Sequence, residues 1–290
     1  MGNASMSDDV TIRRAESVAD YLACQQAQRL AWGITDDSYV VPLATMVGAQ
    51  LHGGLVLGAF TPDGDALGLS FAFLGKVEGR PCLYSQLTGI VPGQQGKGLG
   101  LKLKLAQRDW ARGEGLACLA WSYDPLQAGN ARFNLEHLGA TADRYVVDMY
   151  GRRTDALNVN APTDRLIVEW STDPDLTRRS PIITPDGLPR LLEAREGRPD
   201  TREISSLDPS DSTVLIEIPA DVAASRRDHP ASAEGWTFAV RRAFLDAFAA
   251  GFRAEGFSRE EGQAGRRCFY VLNRHRTNPG IPVIPIALTG

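Results

Sequence analysis

Apolar and polar positions along the first 150 residues fall into short blocks whose period keeps changing between that of a strand and that of a helix. Val10 to Arg14 reads as a strand, and Ser17 followed by Asp20 forms a cap for a helix whose apolar positions Leu22, Ala23, Ala27 and Leu30 run towards Trp32. A second short helix is expected near Pro42 to Leu51. The apolar runs LVLGAF (55–60) and ALGLSFAFLGKV (66–77) flank Pro62-Asp63-Gly64, which predicts an antiparallel hairpin. CLYSQLTGIV (82–91) supplies a third strand, followed by a glycine-rich turn, an amphipathic helix to about Arg112, and a strand at ACLAWS (117–122). A strand, loop, helix and strand in that order are most often a parallel crossover. A helix around Asn130 to Leu138 stops at Gly139, and RYVVDMY (144–150) closes the region as a last strand.

The second half is organised differently. After LIVEW (166–170), residues 171–212 hold six of the 17 prolines with nine acidic residues and six Arg, a composition expected of exposed linking structure. A strand at VLIEI (214–218), a helix from Trp236 to Arg253 and a strand at CFYVL (268–272) follow, ahead of a proline-punctuated tail. The expected organisation is a first domain at 10–152, a strand and linking segment at 153–212, a C-terminal α/β region at 213–276 and a tail at 277–290. In the helix, Trp236, Val240, Phe244, Phe248 and Phe252 recur every four residues, a stripe that must be buried. Strand-helix-strand order in both halves leaves a decayed duplication open. The fold class is α/β with a mixed sheet.

Composition narrows the function. The chain has 290 residues, 43% hydrophobic and 23% charged, with a net charge of −4, so it is neither disordered nor a basic binder of nucleic acid. The charge is nonetheless uneven: residues 93–112 carry Lys97, Lys102, Lys104, Arg108 and Arg112 against Asp109 alone, a local +4. Cys24, Cys82, Cys118 and Cys268 lie far apart with no metal-ligand spacing, which predicts reduced core thiols and no metal. The opening MGNASMSDD has no basic segment followed by an apolar run, and no stretch approaches ~20 apolar residues; a cytoplasmic protein with no membrane partner is expected.

The local charge coincides with a loop whose glycines stand at 93, 96, 98 and 100, between a strand and a helix. Glycine lets backbone N–H groups approach a ligand, and the helix N-terminus favours an anion, so a phosphate-bearing ligand is expected. A nucleoside-triphosphate loop fails because Gly96-Lys97 is followed by Gly98 rather than Ser or Thr. A dinucleotide fingerprint fails because Leu101 stands where its third glycine belongs. Gln95-x-x-Gly98-x-Gly100 fits a third pattern, and here the chain resembles the GNAT superfamily of acyl-CoA N-acyltransferases, whose coenzyme A loop is Q/R-x-x-G-x-G/A.

The resemblance runs from about residue 10 to 150, in element order as well as motif, and DPLQAGNARFNLEHLGA (124–140) resembles a subgroup with an extra C-terminal region. It implies a GNAT-like fold with a C-terminal α/β extension, which a degenerate second GNAT-like half would also satisfy. It further implies acetyl-CoA or another acyl-CoA, such as succinyl-CoA, as co-substrate. Gln95, Gly96, Lys97, Gly98, Leu99 and Gly100 would hold its pyrophosphate, Ile90 and Val91 would pair with the pantetheine arm, and Asn130 would bond the arm or merely cap its helix. Backbone around Thr88 to Ile90, bulged at Gly89, would donate to the thioester oxygen.

The implied reaction is transfer of an acyl group to the amine of a small molecule or amino acid by direct attack. It needs a base, an oxyanion site and a route for the departing thiolate. Tyr84 stands eleven residues before Gln95, at the strand position where members often carry a base, but a phenol with a pKa of about 10 is a poor one. Sharing a strand face with Gln86 and Thr88, it would instead orient the acceptor, or be an ordinary half-buried sheet aromatic. Asp124 is a second candidate, though Asp-Pro at a strand end is more often a turn. The position of the family's acid Tyr, four residues before Gly139, is Leu135, and His137 is nearby but outside that slot. The alternative to an enzyme is a degenerate domain that binds coenzyme A as a sensor or partner module. Residues 161–290 are expected to complete the acceptor side or a subunit interface, as in a homodimer.

Overall fold

The structure, a computed structural model, describes residues 10–151, 162–176, 183–208, 210–262 and 265–275. They form two compact units, the first comprising those up to Trp121 with 171–173 and the second the remainder.

The first unit contains β1 (Thr11–Arg14), α1 (Val18–Trp32), α2 (Leu43–Leu51), β2 (Leu55–Phe60), β3 (Ala66–Val77), β4 (Arg80–Ile90), α3 (Leu99–Gly113) and β5 (Cys118–Tyr123), whose last two residues count with the second unit. The strands lie in the order β1-β2-β3-β4-β5, antiparallel except for the parallel β4–β5 pair that the crossover pattern predicts. Helix α1 covers one face: a Cβ at Gly89 would meet its Trp32. Helix α3 covers the other, where a Cβ at Gly68 would approach Leu103 at 3.4 Å.

Helix α1 starts where its capping residues require. Ser17 Oγ accepts from Asp20 N at 3.1 Å, and the Asp20 carboxylate accepts from the backbone of Ser17 and Glu16 and from both ends of the Arg13 guanidinium. Its inward face is only partly the expected one: Ala27 is buried and Ala23 packs against the same core. Leu22 and Leu30 are exposed, and the buried positions are Asp20, Tyr21, Cys24, Gln25, Ala27 and Gln28. Polar burial is tolerated because the partners are supplied: Gln50 Nε2 donates to Ala15 O and Tyr21 Oη, both at 2.7 Å, and its Oε1 accepts from Val56 N.

The second unit contains α4 (Ala128–Ala131), β6 (Thr141–Val146), β7 (Arg165–Ser171), β8 (Arg190–Arg195), β9 (Arg198–Thr201), β10 (Thr213–Ile218), α5 (Val222–Asp228), α6 (Pro230–Ala249), β11 (Phe252–Gly262) and β12 (Gly265–Arg274). Its strand order is β7-β6-β11-β12-β10-β8-β9. Helix α4 continues through a π turn at 132–137 and ends at Gly139. Trp236, Val240 and Phe244 of α6 are buried, and Phe244 meets Tyr145 and Tyr270 at ring-centroid distances of 5.7 and 4.9 Å.

The last strand of the first region is Thr141–Val146 rather than 144–150, because the chain turns at Asp148. Helix α6 stops at Ala249, where Gly251 adopts a φ of +82°, so Phe252 belongs to β11. Strand β11 was hidden from the pattern by a register shift between Ala254 and Gly256 that breaks its two-residue period. The proline-rich stretch holds the β8–β9 hairpin, with Leu191 and Leu192 buried and Pro199 on the last strand of the order, where a missing N–H is harmless.

The unit uses one arrangement twice: α4 leads into β6 and β7, α6 leads into β11 and β12, and the two antiparallel pairs meet antiparallel at Ala142 and Ala254. The link between β10 and α5 is no anion loop, since the Asp221 carboxylate accepts from Ala224 N at 2.9 Å. All four cysteines are buried free thiols, and burial pushes Cys24 up to about 12.

Hydrogen bonds from Arg13 hold the Asp20 carboxyl far below the usual range. Its stabilisation is therefore complete above the unfolded-state value of about 4 and is lost as pH falls below it. Asp20→Asn is expected to cost roughly 1–2 kcal/mol at neutral pH, with the gap to wild type closing towards pH ~3 in thermal melts.

Candidate functional site

Strands β4 and β5 share only two rungs, Leu83 with Leu119 and Tyr84 with Ala120. Beyond them the parallel strands part, so the β4 edge from Ser85 to Ile90 faces away from any β5 partner while its other edge stays paired with β3. Buried backbone groups need partners, and a gap at the C-terminal ends of parallel strands is where open α/β sheets take ligands.

The bulge in β4 is not at Gly89. Phe71 pairs with Leu87 and Ala72 with Ser85, so Gln86 is the extra residue. Gly89 pairs regularly with Leu69; its lack of a side chain serves packing, since a Cβ there would lie 2.4 Å from Trp32 Cζ3. The bulge also changes which side chains share a face. Thr88 Oγ1 meets Ser70 Oγ at 2.7 Å and Ser85 bonds to α3, so both lie on the α3 side, opposite Tyr84. Tyr84 packs against Phe73, ring centroids 5.4 Å apart, and against Val77, Cys82, Cys118 and Ala120.

The loop after β4 opens onto this edge. Gly93, Gly96 and Gly98 have φ between +76° and +80°, which side chains disfavour, and a Cβ on any of them would meet no described residue within 4 Å. Gly98 is the N-cap of α3 and offers no side-chain cap, so the first amides of α3, from Leu99 onward, lack the capping acceptor that Ser17 gives α1. Lys97 is exposed beside them, its Nζ 3.0 Å from Gln94 Oε1, and Gln95 Nε2 donates to Ile90 O at 3.3 Å. Val91 cannot pair with an incoming arm: its N–H donates to Leu67 O and its carbonyl accepts from Gln94 N.

Only part of the local positive charge faces this loop. Lys97 and Lys102 are exposed at its end of α3, whereas Arg112 lies about 20 Å further along the helix. Lys104 is buried under the sheet, only 4% exposed. Its Nζ donates to Ser85 Oγ at 2.8 Å and lies 3.8 Å from the Trp121 ring centroid. Ser85 Oγ in turn donates to Gln107 Oε1 at 3.1 Å, and Gln107 Nε2 is buried without a partner among the described residues. Burial alone lowers the Lys104 pKa to about 7. Spacing contained a signal: Leu99, Leu103, Gln107 and Ala111 recur every four residues as the buried stripe of α3, and Lys104 stands beside it.

On the opposite face, a cleft of about 550 Å³ is lined by residues 38–42, Thr45, Ala49, Phe71, Phe73 and Gln86. None of these carries a charge. Its outer wall is pinned by α1: Gln25 Nε2 donates to Val41 O at 2.8 Å, and Gln28 bonds Tyr39 O and Val41 N. Sequence patterning missed this wall because its anchors are tertiary hydrogen bonds from glutamines.

The structure thus gathers Tyr84, Ile90, Gln95, Gly96, Lys97, Gly98, Leu99 and Gly100 along one strand and the loop it feeds, all in the first unit. Asp124 and Asn130 lie in the second. Asp124 is committed to two partners, Arg226 Nη2 at 2.9 Å and Leu126 N at 2.9 Å. Asn130 is exposed inside α4, whose N-cap is Gln127. Leu135 is fully buried, and His137 is exposed beside Glu136.

No protein-family model and no curated protein matches the chain. Solved structures of acetyltransferases do. The yncA protein of Salmonella typhimurium, with its cofactor acetyl-CoA, is 24% identical over 58% of this chain and 96% of its own, at a TM-score of 0.46. A GNAT-family structure from Desulfovibrio desulfuricans is 18% identical over 57% and 99%, at 0.45. A GNAT acetyltransferase from Elizabethkingia anophelis, with acetyl-CoA bound, is 12% identical over 57% and 99%, at 0.43. No helix among the described residues is long and apolar enough to cross a membrane.

Because folding lowers the Lys104 pKa, the folded state binds fewer protons than the unfolded one between pH ~7 and ~10, and this residue's contribution makes stability rise with pH there. Lys104→Met removes a buried amine at nearly constant volume. It is expected to stabilise the protein by about 1–4 kcal/mol near neutral pH and to flatten that rise, as read by denaturant melts across the range.

Proposed function

We propose that the protein is an acyl-CoA-dependent N-acyltransferase that moves an acetyl or other short acyl group from coenzyme A to the amine of a small molecule. The observation that carries this reading is the continuity of the free β4 edge with a positive-φ glycine loop and an uncapped helix N-terminus. That combination suits a ligand with an anionic diphosphate at one end and an amide-bearing arm at the other. The Gly96 and Gly98 turns and the amides of Leu99 and Gly100 would receive the diphosphate, with Lys97 adding charge. Ile90 and the residues before it would pair with the arm, which requires Gln95 to release Ile90 O.

The acceptor would occupy the uncharged cleft. Tyr84 stands next to Phe73 of its wall, so its role is to shape the acceptor's approach; Gln86, the bulged residue, lines the cleft directly. A lining without a carboxylate gives an ammonium no counter-ion and so favours the neutral amine that the attack on the thioester requires. The amine adds to the carbonyl, a backbone N–H on the freed β4 edge takes the oxyanion, and the thiolate leaves. Transfer would be direct, which the burial of all four cysteines supports. Asp124, tied to Arg226, is not assigned a proton-transfer role.

Titration calorimetry with coenzyme A tests the assignment. Wild type is expected to bind, and Lys97→Glu, a surface change, to bind about tenfold more weakly. A folded Gly98→Val protein is expected to lose binding; wild-type affinity in both variants would contradict the site. A matrix of acyl-CoA donors against amines, read by free-thiol release, then separates an enzyme from a binding module. Tyr84→Phe is expected to raise the acceptor KM several-fold while donor affinity stays unchanged. An unaltered KM would leave Tyr84 a packing residue only.

A further inference from the structure

The Lys104 amine sits at the point where β4 and β5 part. Ser85 is the first residue of β4 beyond the last shared rung, Trp121 is the first of β5, and Lys104 Nζ touches both. A buried amine held by a single hydroxyl and a ring face is an expensive feature, and no carboxylate among the described residues acts on it. The elements packed against α3 offer it little else. Strand β2 (LVLGAF) has no titratable group, β3 presents Ser70, and Arg13 of β1 is tied to Asp20 and stacked on Phe60, leaving Arg14 as the other β1 cation. On a purely structural account, a methionine would fill the same space at lower cost.

Resting on the acyltransferase reading, we propose that Ser85 and Lys104 supply the proton to the departing thiolate, Ser85 as the group that meets sulfur and Lys104 as the positioning residue behind it. An arm that enters at the glycine loop and follows the free edge of β4 arrives, after about 16 Å of strand, at Ser85. When the carbon–sulfur bond breaks, its electron pair goes to sulfur. The Ser85 hydroxyl turns from Gln107 Oε1 to sulfur and gives up its proton, and Lys104 Nζ replaces that proton on Oγ across the 2.8 Å bond. The resulting neutral amine recovers a proton equivalent to the one the acceptor nitrogen releases, so the cycle balances without another reactant. A lysine titrating near 7 is matched to this task, since an ordinary one would hold its proton too tightly. The Trp121 ring face stabilises the ammonium form between turnovers.

The test uses the full chain and coenzyme A itself, with the bound thiol titrated by its thiolate ultraviolet absorbance. In the wild-type complex the thiol is expected to titrate at least one pH unit below free coenzyme A, and in Lys104→Met and Ser85→Ala at or above the free value. Ser85→Thr, which keeps the hydroxyl, is expected to restore the shift. With an active acceptor pair, Lys104→Met is expected to lower kcat more than tenfold with little change in the acyl-CoA KM. Equal thiol titrations in wild type and both variants would overturn the proposal while leaving coenzyme binding intact. Failure of wild type to bind coenzyme A would overturn the acyltransferase reading and this proposal with it. Should Lys104→Met not fold, the Ser85 pair decides alone.

Discussion

The parting of two hydrogen-bonded strands is the constraint from which the rest of the first unit follows. A parallel pair that stops after two rungs leaves a row of backbone groups on β4 that must be satisfied by a ligand, by solvent or by side chains. The elements around that edge hold its shape. Trp32 presses on Gly89 from one face, the Gln86 bulge turns Ser85 and Thr88 towards α3, and Gln25 and Gln28 fix the wall of the cleft on the other side. The glycine loop then turns the same strand into a helix whose first amides receive no side-chain cap among the described residues.

Charge is placed with the same economy. The basic run at 97–112 resembles a single electrostatic patch, yet the fold separates it by function. Lys97 and Lys102 remain in solvent where a diphosphate would sit, while Lys104 is turned inward to the junction of the strands. Two residues of helix, a rotation of about 200°, divide a surface cation from a buried amine. In the second unit the corresponding strand-to-helix link is closed by Asp221, whose carboxylate fills the position an anion would need.

Much of this was legible in the sequence, and the failures have physical causes. The capping box at Ser17, the Asp-Gly hairpin, the parallel crossover and the glycine loop are local features written in adjacent residues, and each stands where the pattern put it. The inward face of α1, the Gln86 bulge and the burial of Lys104 depend on partners from other elements, which periodicity does not carry. Strands β8, β9 and β11 were obscured by prolines, charges and a register shift that the sheet accommodates only once its neighbours are in place. Tyr84 lies on the strand its pattern predicts, but its expected companion Thr88 faces the other side of the sheet because one extra residue inverts the alternation.

Hydrogen–deuterium exchange with and without acetyl-CoA tests the central claim most directly, because it reads the backbone amides on which the account rests. Added acetyl-CoA is expected to slow exchange in two stretches, the freed β4 edge at 85–90 and the loop and first turn of α3 at 96–101, while β2 and the β8–β9 hairpin remain unchanged. Saturating acetyl-CoA that leaves both stretches exchanging as in the free protein would contradict it.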